Sequence, residues 1–239
     1  GLGKSAALHL ARQGVGVVIT YVNNETAAEE VVAEITKGGG KAAALQLNVA
    51  DTSSFGSFAT QFAQTLENHW GQKTFSYLVN NAGTGVHTPI IKTTEEQFDA
   101  MMNQHVKGVF FLTQKLLSHL EDGGKILNSS SGLTRFSFPG YAVYASAKAA
   151  QESLTRYMAL ELGSRGIAVN AQAPGAIETD FGGGAVRDNE DLNQMIAAST
   201  AMGRVGLPKD IGETIASLLT GDNQWMTGQR IEASGGQSL

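Results

Sequence analysis

The chain has 239 residues, 42% apolar and 16% charged, with a net charge of −5, a composition that suits one α/β domain with a sizeable core. Scattered Lys and Arg leave no electrostatic footprint for nucleic acid or an anionic membrane surface, and no apolar run reaches the roughly 18 residues of a membrane span. With no cysteine, disulfides, thiolate metal sites and cysteine nucleophiles are excluded, and a cytoplasmic setting is expected.

In chain order, helical spacing predicts a helix over 4–12, and a β-branched run predicts a strand over 15–21. A helix over 26–37, a strand over 42–49, a helix over 52–69 and a strand over 75–80 come next. Phe98, Met101, Met102, His105, Val109, Leu112, Leu116 and Leu120 lie three or four apart, one apolar stripe of a single helix. Then come a strand over 125–129, a helix over 141–162 and a strand over 167–172. Residues 181–206 open on Gly182-Gly183-Gly184 and are weakly patterned, which reads as a mobile substrate loop. A helix over 209–219 and a strand over 229–233 close the series. This alternation predicts a Rossmann-type, doubly wound parallel sheet in a single domain over 1–239.

Such sheets bind ligands beyond the carboxyl ends of their strands. Those ends hold Asn23 and Asn24, Asn48, then Asn80-Asn81-Ala82-Gly83, Ser129-Ser130-Ser131-Gly132 and Pro174-Gly175. Short polar and glycine-rich turns at five strand ends suggest a long ligand with phosphates. Tyr144 and Lys148 are four residues apart on one helix face. A neighbouring ammonium lowers a phenol's pKa and makes it a usable acid. Alone, the pair reads as well as a surface Lys beside a half-buried Tyr. No His, Asp or Glu cluster has metal-ligand spacing, so no metal is expected.

Gly-x-Gly opening a helix, Asn-Asn-Ala-Gly after a strand, Ser131 thirteen residues before Tyr-x-x-x-Lys, and then Pro-Gly together resemble the short-chain dehydrogenase/reductase family. The resemblance spans the whole chain and is nearest to bacterial 3-oxoacyl-(acyl-carrier-protein) reductase-type enzymes. It implies hydride transfer between a nicotinamide cofactor and a ketone or secondary alcohol. Tyr144 would be the general acid, Ser131 would bond the carbonyl oxygen, and Lys148 would lower the Tyr144 pKa and bind the nicotinamide ribose. Gly1, Gly3, Tyr21, Asn23, Asn24, Asn48, Val49, Asn81, Ala82 and Gly83 would hold the cofactor, with Pro174, Gly175, Ile177 and Thr179 at the nicotinamide and pyrophosphate. Tyr21 stands where NAD-preferring members carry an acid, so NADP(H) is favoured over NAD(H). Family relatives pair their helices into dimers and tetramers, which implies a homotetramer.

Two features depart from the family pattern. Gly1 and Gly3 match only the end of the phosphate-binding turn. The strand and first glycine that come before it in the family are expected to precede Gly1 in the whole protein; without them the sheet lacks its central strand. His105 stands where the family has an active-site asparagine, and is either a catalytic group titrating near neutrality or a satisfied core histidine. Phe136, Phe138 and Tyr141 read as a substrate wall or as packing. The expected activity is a carbonyl reductase; an NAD-dependent alcohol dehydrogenase and a catalytically impaired nucleotide-binding sensor or scaffold stand as alternatives.

Overall fold

A computed structural model describes all residues from Gly1 to Leu239. In chain order the elements are α1 (Leu2–Arg12), β1 (Val17–Tyr21), α2 (Glu25–Lys37), β2 (Ala42–Gln46), α3 (Phe55–Trp70), β3 (Phe75–Asn80), α4 (Glu95–Met102) and α5 (Gly108–Leu116). After them come β4 (Leu120–Ser129), α6 (Ala142–Leu162), β5 (Ala168–Pro174), α7 (Ala185–Asp188), α8 (Glu190–Ala198), α9 (Pro208–Thr220) and β6 (Arg230–Ala233). Local chemistry sets several of these boundaries. Asn24 accepts from the Ala27 amide at 2.9 Å to start α2, Thr94 and Gln97 form a capping box at α4, and Gly71 ends α3 at φ 66°.

Every strand pair is parallel: β1 with β2, and β3, β4, β5 and β6 in that order. Helices cover both faces, the doubly wound arrangement expected of alternating strands and helices. Leu10 of α1 and Ile211, Ile215 and Leu219 of α9 pack on one face with Leu127 of β4. Phe58, Phe62 and Leu66 of α3 and Leu112 and Leu116 of α5 fill the other. Between β1 and β3 lies an apolar cleft of about 500 Å³, bordered by Val17, Val18, Ile19, Tyr77, Leu78 and Val79. The sheet therefore consists of two parallel pieces flanking that cleft.

Two expectations need correction. The stripe from Phe98 to Leu120 is not one helix. A π-helical turn, Asn103–Lys107, separates α4 from α5, and Leu120 begins β4. Period alone does not register a wider turn that keeps the same face buried. β4 starts earlier than expected, at Leu120, and its register against β3 shifts between Phe75 and Tyr77, opposite the stretch that holds Gly123 and Gly124. Residues 181–206 contain a 3-10 turn, α7 and α8, with Ile196 and Val205 buried.

The start of α5 sits directly on the chain beyond β2. A Cβ at Gly108 would lie 2.0 Å from the Val49 carbonyl oxygen, a backbone atom that has little room to yield. Gly108→Ala is therefore expected to destabilise the fold by about 2 kcal/mol, although alanine is the better helix former. Urea unfolding against wild type measures this, and an unchanged midpoint would contradict the close approach.

Candidate active site

The polar turns at the carboxyl ends of β3, β4 and β5 converge on a cavity of about 840 Å³, within the range of small-molecule sites. Gly1, Gly3, Asn81, Gly83, His105, Ser131, Tyr144, Lys148, Pro174, Gly175, Ile177 and Thr179 all line it. Ala82 and Val49 instead border the apolar cleft. Tyr21, Asn23, Asn24 and Asn48 lie outside both cavities. Asn24 caps α2, and the Asn48 side chain accepts from the Ala50 amide at 3.0 Å.

Tyr144 and Lys148 project from one face of α6, and both are buried. The Lys148 ammonium donates to the Ser129 carbonyl at 2.6 Å and lies 3.4 Å from Gln151 Oε1. It sits 5.8 Å from the centre of the Tyr144 ring. Ser131 caps a 3-10 turn, its Oγ accepting from the Leu133 amide at 3.2 Å. Ser131 and Tyr144 line the same cavity.

The Tyr144 and Lys148 shifts are both set by burial. Burial pushes the Tyr144 phenol up to about 12, against a smaller downward pull from Ser131. Burial also pushes Lys148 down to about 7, because its partners are neutral oxygens. The phenol is thus protonated throughout the neutral range, which is the state a proton donor needs.

His105 is brought to the site by the π-helical turn, and its ring meets Tyr144 edge-on at 5.4 Å. Its Nε2 pairs with the Thr84 carbonyl at 2.8 Å, so Nε2 carries the hydrogen; Nδ1 is buried without a partner. Burial and the nearby Lys148 charge lower its pKa to about 3. Of the two readings of His105, burial favours the neutral one. The ring also supplies a reason for Gly83, because a Cβ there would lie 2.4 Å from His105 Cε1. Phe181 packs against the Tyr144 ring at 5.7 Å. Neither Phe181 nor Gln237, whose side chain also reaches the cavity, belongs to a recognisable motif.

The residues present fit a dinucleotide. The N-terminus of α1 opens on this cavity through Gly1 and Gly3, and its first turn has no acid. A Cβ at Gly1 would meet nothing within 4 Å, and one at Gly175 would crowd Gln237 and Ser234 at 2.9 Å. Tyr21, the last residue of β1, is not itself a carboxylate, and Glu25 and Glu29 lie near its hydroxyl.

The family model described as enoyl-(acyl carrier protein) reductase matches residues 1–238. The chain belongs to the short-chain dehydrogenase/reductase family. This family member is 37% identical over 247 residues to the hydroxynaphthalene reductase-like protein Arp2 of Metarhizium brunneum, covering 99% of this chain and 90% of that protein. Its structure is similar to the promiscuous reductase LugOII, which catalyses keto-reduction at C1 during lugdunomycin biosynthesis. The TM-score there is 0.94 at 38% identity, over 100% of this chain and 94% of that one. The angucycline C-6 ketoreductase LanV, crystallised with NADP, gives 0.94 at 33% identity, over 100% and 91%. The protein is an NAD(P)-dependent reductase of this family, with NADP(H) favoured over NAD(H).

The shifted lysine and the neutral histidine each have a measurable pH signature. Lys148 binds its proton more weakly in the folded chain, at about 7, than in the unfolded chain, near 10.5. Between those values the unfolded state holds the extra proton, so stability rises with pH. The melting temperature of cofactor-free protein should therefore gain a rising component from pH 7 to 9 that Lys148→Met removes. The His105→Asn variant should retain the wild-type shape of its pH–rate profile between pH 5 and 8. Loss of an inflection near neutrality would restore the titrating histidine.

Proposed function

We propose that this reductase delivers hydride and proton to the ketone of a fused-ring aromatic substrate, with Tyr144, Ser131 and Lys148 as its working residues. The observation that carries the reading is the buried Tyr144 phenol, protonated at neutral pH, lining one aromatic-walled cavity with Ser131. Bound NADPH supplies the hydride. Ser131 donates to the carbonyl oxygen and stabilises the charge that grows there. The Tyr144 O–H bond breaks as its proton passes to that oxygen, leaving a phenolate close to the Lys148 ammonium. An opposite charge nearby lowers the cost of that phenolate. His105, neutral and bonded to Thr84, holds the wall beside the phenol.

The substrate class rests on the rings at the cavity. Phe138 and Tyr141 are 6.3 Å apart, His87 lies 4.8 Å from Tyr141, and Phe181 reaches over Tyr144. Flat aromatic faces favour a flat aromatic ligand. The hydroxynaphthalene and angucycline chemistry of the similar proteins supports the same class. In this reading residues 1–239 form one catalytic domain, with 181–206 as a mobile substrate wall. A homotetramer and a cytoplasmic setting complete it. The half-exposed Phe110 and Phe111 on α5 and the exposed Tyr157 and Leu160 on α6 support subunit contacts; the absence of cysteine supports the setting.

Tyr144→Phe tests the reading. Turnover should fall by at least about a hundredfold, as for loss of a general acid, while the NADPH dissociation constant stays within about twofold. A variant that still reduces aryl ketones at the wild-type rate would remove Tyr144 from the chemistry.

A further inference from the structure

Where β5 leaves the sheet, the turn from Gly175 to Glu178 needs partners for its backbone. Gly175 donates to the Ala233 carbonyl at 3.2 Å and Glu178 to the Gly206 carbonyl at 3.0 Å. The amide between them, Ala176, donates at 2.9 Å to the side-chain Oε1 of Gln237. Gln237 is itself buried and borders the cavity. It lies in the segment after β6, outside the glycine-rich, Ser–Tyr–Lys and Pro-Gly motifs.

That segment is tied to two other walls of the site. It pairs with the chain beyond α8 through the antiparallel bridge Thr200–Gln237, and the Ser238 amide donates to the Ser199 carbonyl at 2.8 Å. Arg135, in the turn that begins at Ser131, donates to the Gln237 carbonyl at 2.5 Å and the Ser238 carbonyl at 2.8 Å. The same guanidinium is held by both carboxylate oxygens of Glu232, at 2.7 and 2.8 Å. That pairing lowers the Glu232 carboxyl to about 2, so the charged bond persists across the neutral range. Ser238 is the non-glycine residue with a positive φ, 53°, a conformation that its surroundings must impose.

We propose that Gln237 is a positioning residue that fixes the turn proposed to receive the nicotinamide and couples it to the Ser131 turn and the substrate wall. The inference rests on the proposed reductase site, with the nicotinamide placed at Pro174 to Thr179. Gln237 acts through the Ala176 amide rather than on reacting atoms. Its loss therefore loosens cofactor binding and leaves the chemical step intact, because Lys148 and Ser131 are held by separate bonds to Ser129 and Leu133.

The test compares Gln237→Met, which keeps volume without the acceptor, with Gln237→Glu, which keeps an acceptor oxygen. Calorimetry gives NADPH binding, scanning calorimetry gives the melting temperature, and an aryl ketone gives kcat. Gln237→Met should raise the NADPH dissociation constant about fivefold, the worth of one neutral hydrogen bond, with kcat at saturating NADPH within about twofold. Gln237→Glu should stay near wild type. Arg135→Met should weaken NADPH binding in the same way, and the double variant should be no weaker than the poorer single, because both act through one segment. Wild-type NADPH affinity in Gln237→Met, or equal weakening in Gln237→Met and Gln237→Glu, overturns the proposal. Failure of the catalytic reading is separately visible as turnover surviving in Tyr144→Phe.

Discussion

The active site depends on an ammonium buried without an anion. Lys148 finds only neutral oxygens, the Ser129 carbonyl and Gln151 Oε1, and its proton is correspondingly loosely held. The Tyr144 phenol under the same burial keeps its proton tightly. One environment thus pushes two neighbouring groups in opposite directions on the pH scale, each toward its neutral form. A ligand that brings negative charge shifts the first of them back toward the cation. The fold positions both groups on one long helix and aims them at the carboxyl ends of three strands.

That arrangement is held by close backbone approaches rather than by exposed ion pairs. Gly83 accommodates the His105 ring, and Gly108 accommodates the Val49 carbonyl. The π-helical turn between α4 and α5 supplies the offset that turns His105 inward while Met101 and Val109 remain in the core. A regular helix over the same residues would rotate α5 relative to α4 and carry one of those two faces out of the core. The histidine is therefore both a wall of the site and a packing element, and its fixed tautomer is set by the Thr84 carbonyl.

Much of this was legible in the sequence. The β-branched runs located all six strands to within a few residues at most ends, and the polar ends of β3, β4 and β5 pointed to the cavity while those of β1 and β2 lie outside it. The start of β4 was hidden because Leu120 continues an apolar helical stripe, and Gly123-Gly124 reads as a turn rather than as part of a strand. Gly-x-Gly, Ser131 and Tyr-x-x-x-Lys were visible because close approach and proton transfer restrict residue type at fixed spacing. The pKa of Tyr144 was not visible: it depends on what surrounds the phenol, and spacing alone suggested a charge contact that burial outweighs. Gln237 was invisible for a simpler reason. Its partner is a backbone amide about sixty residues away, and any acceptor of suitable reach would satisfy it.

The run Gly182-Gly183-Gly184 has φ values of 62°, 73° and 79°, a left-handed stretch that side-chain-bearing residues rarely adopt. Mechanically this is a crank between the strand end that carries Thr179 and the two short helices that form the outer wall. The pairs of Arg187 with Asp180 and Asp188 that brace it are solvent-exposed and form only a weak latch. The backbone path from Thr179 to the outer wall therefore rests on torsions at residues with no side chain. A side chain at any of the three strains that path, whatever space surrounds it.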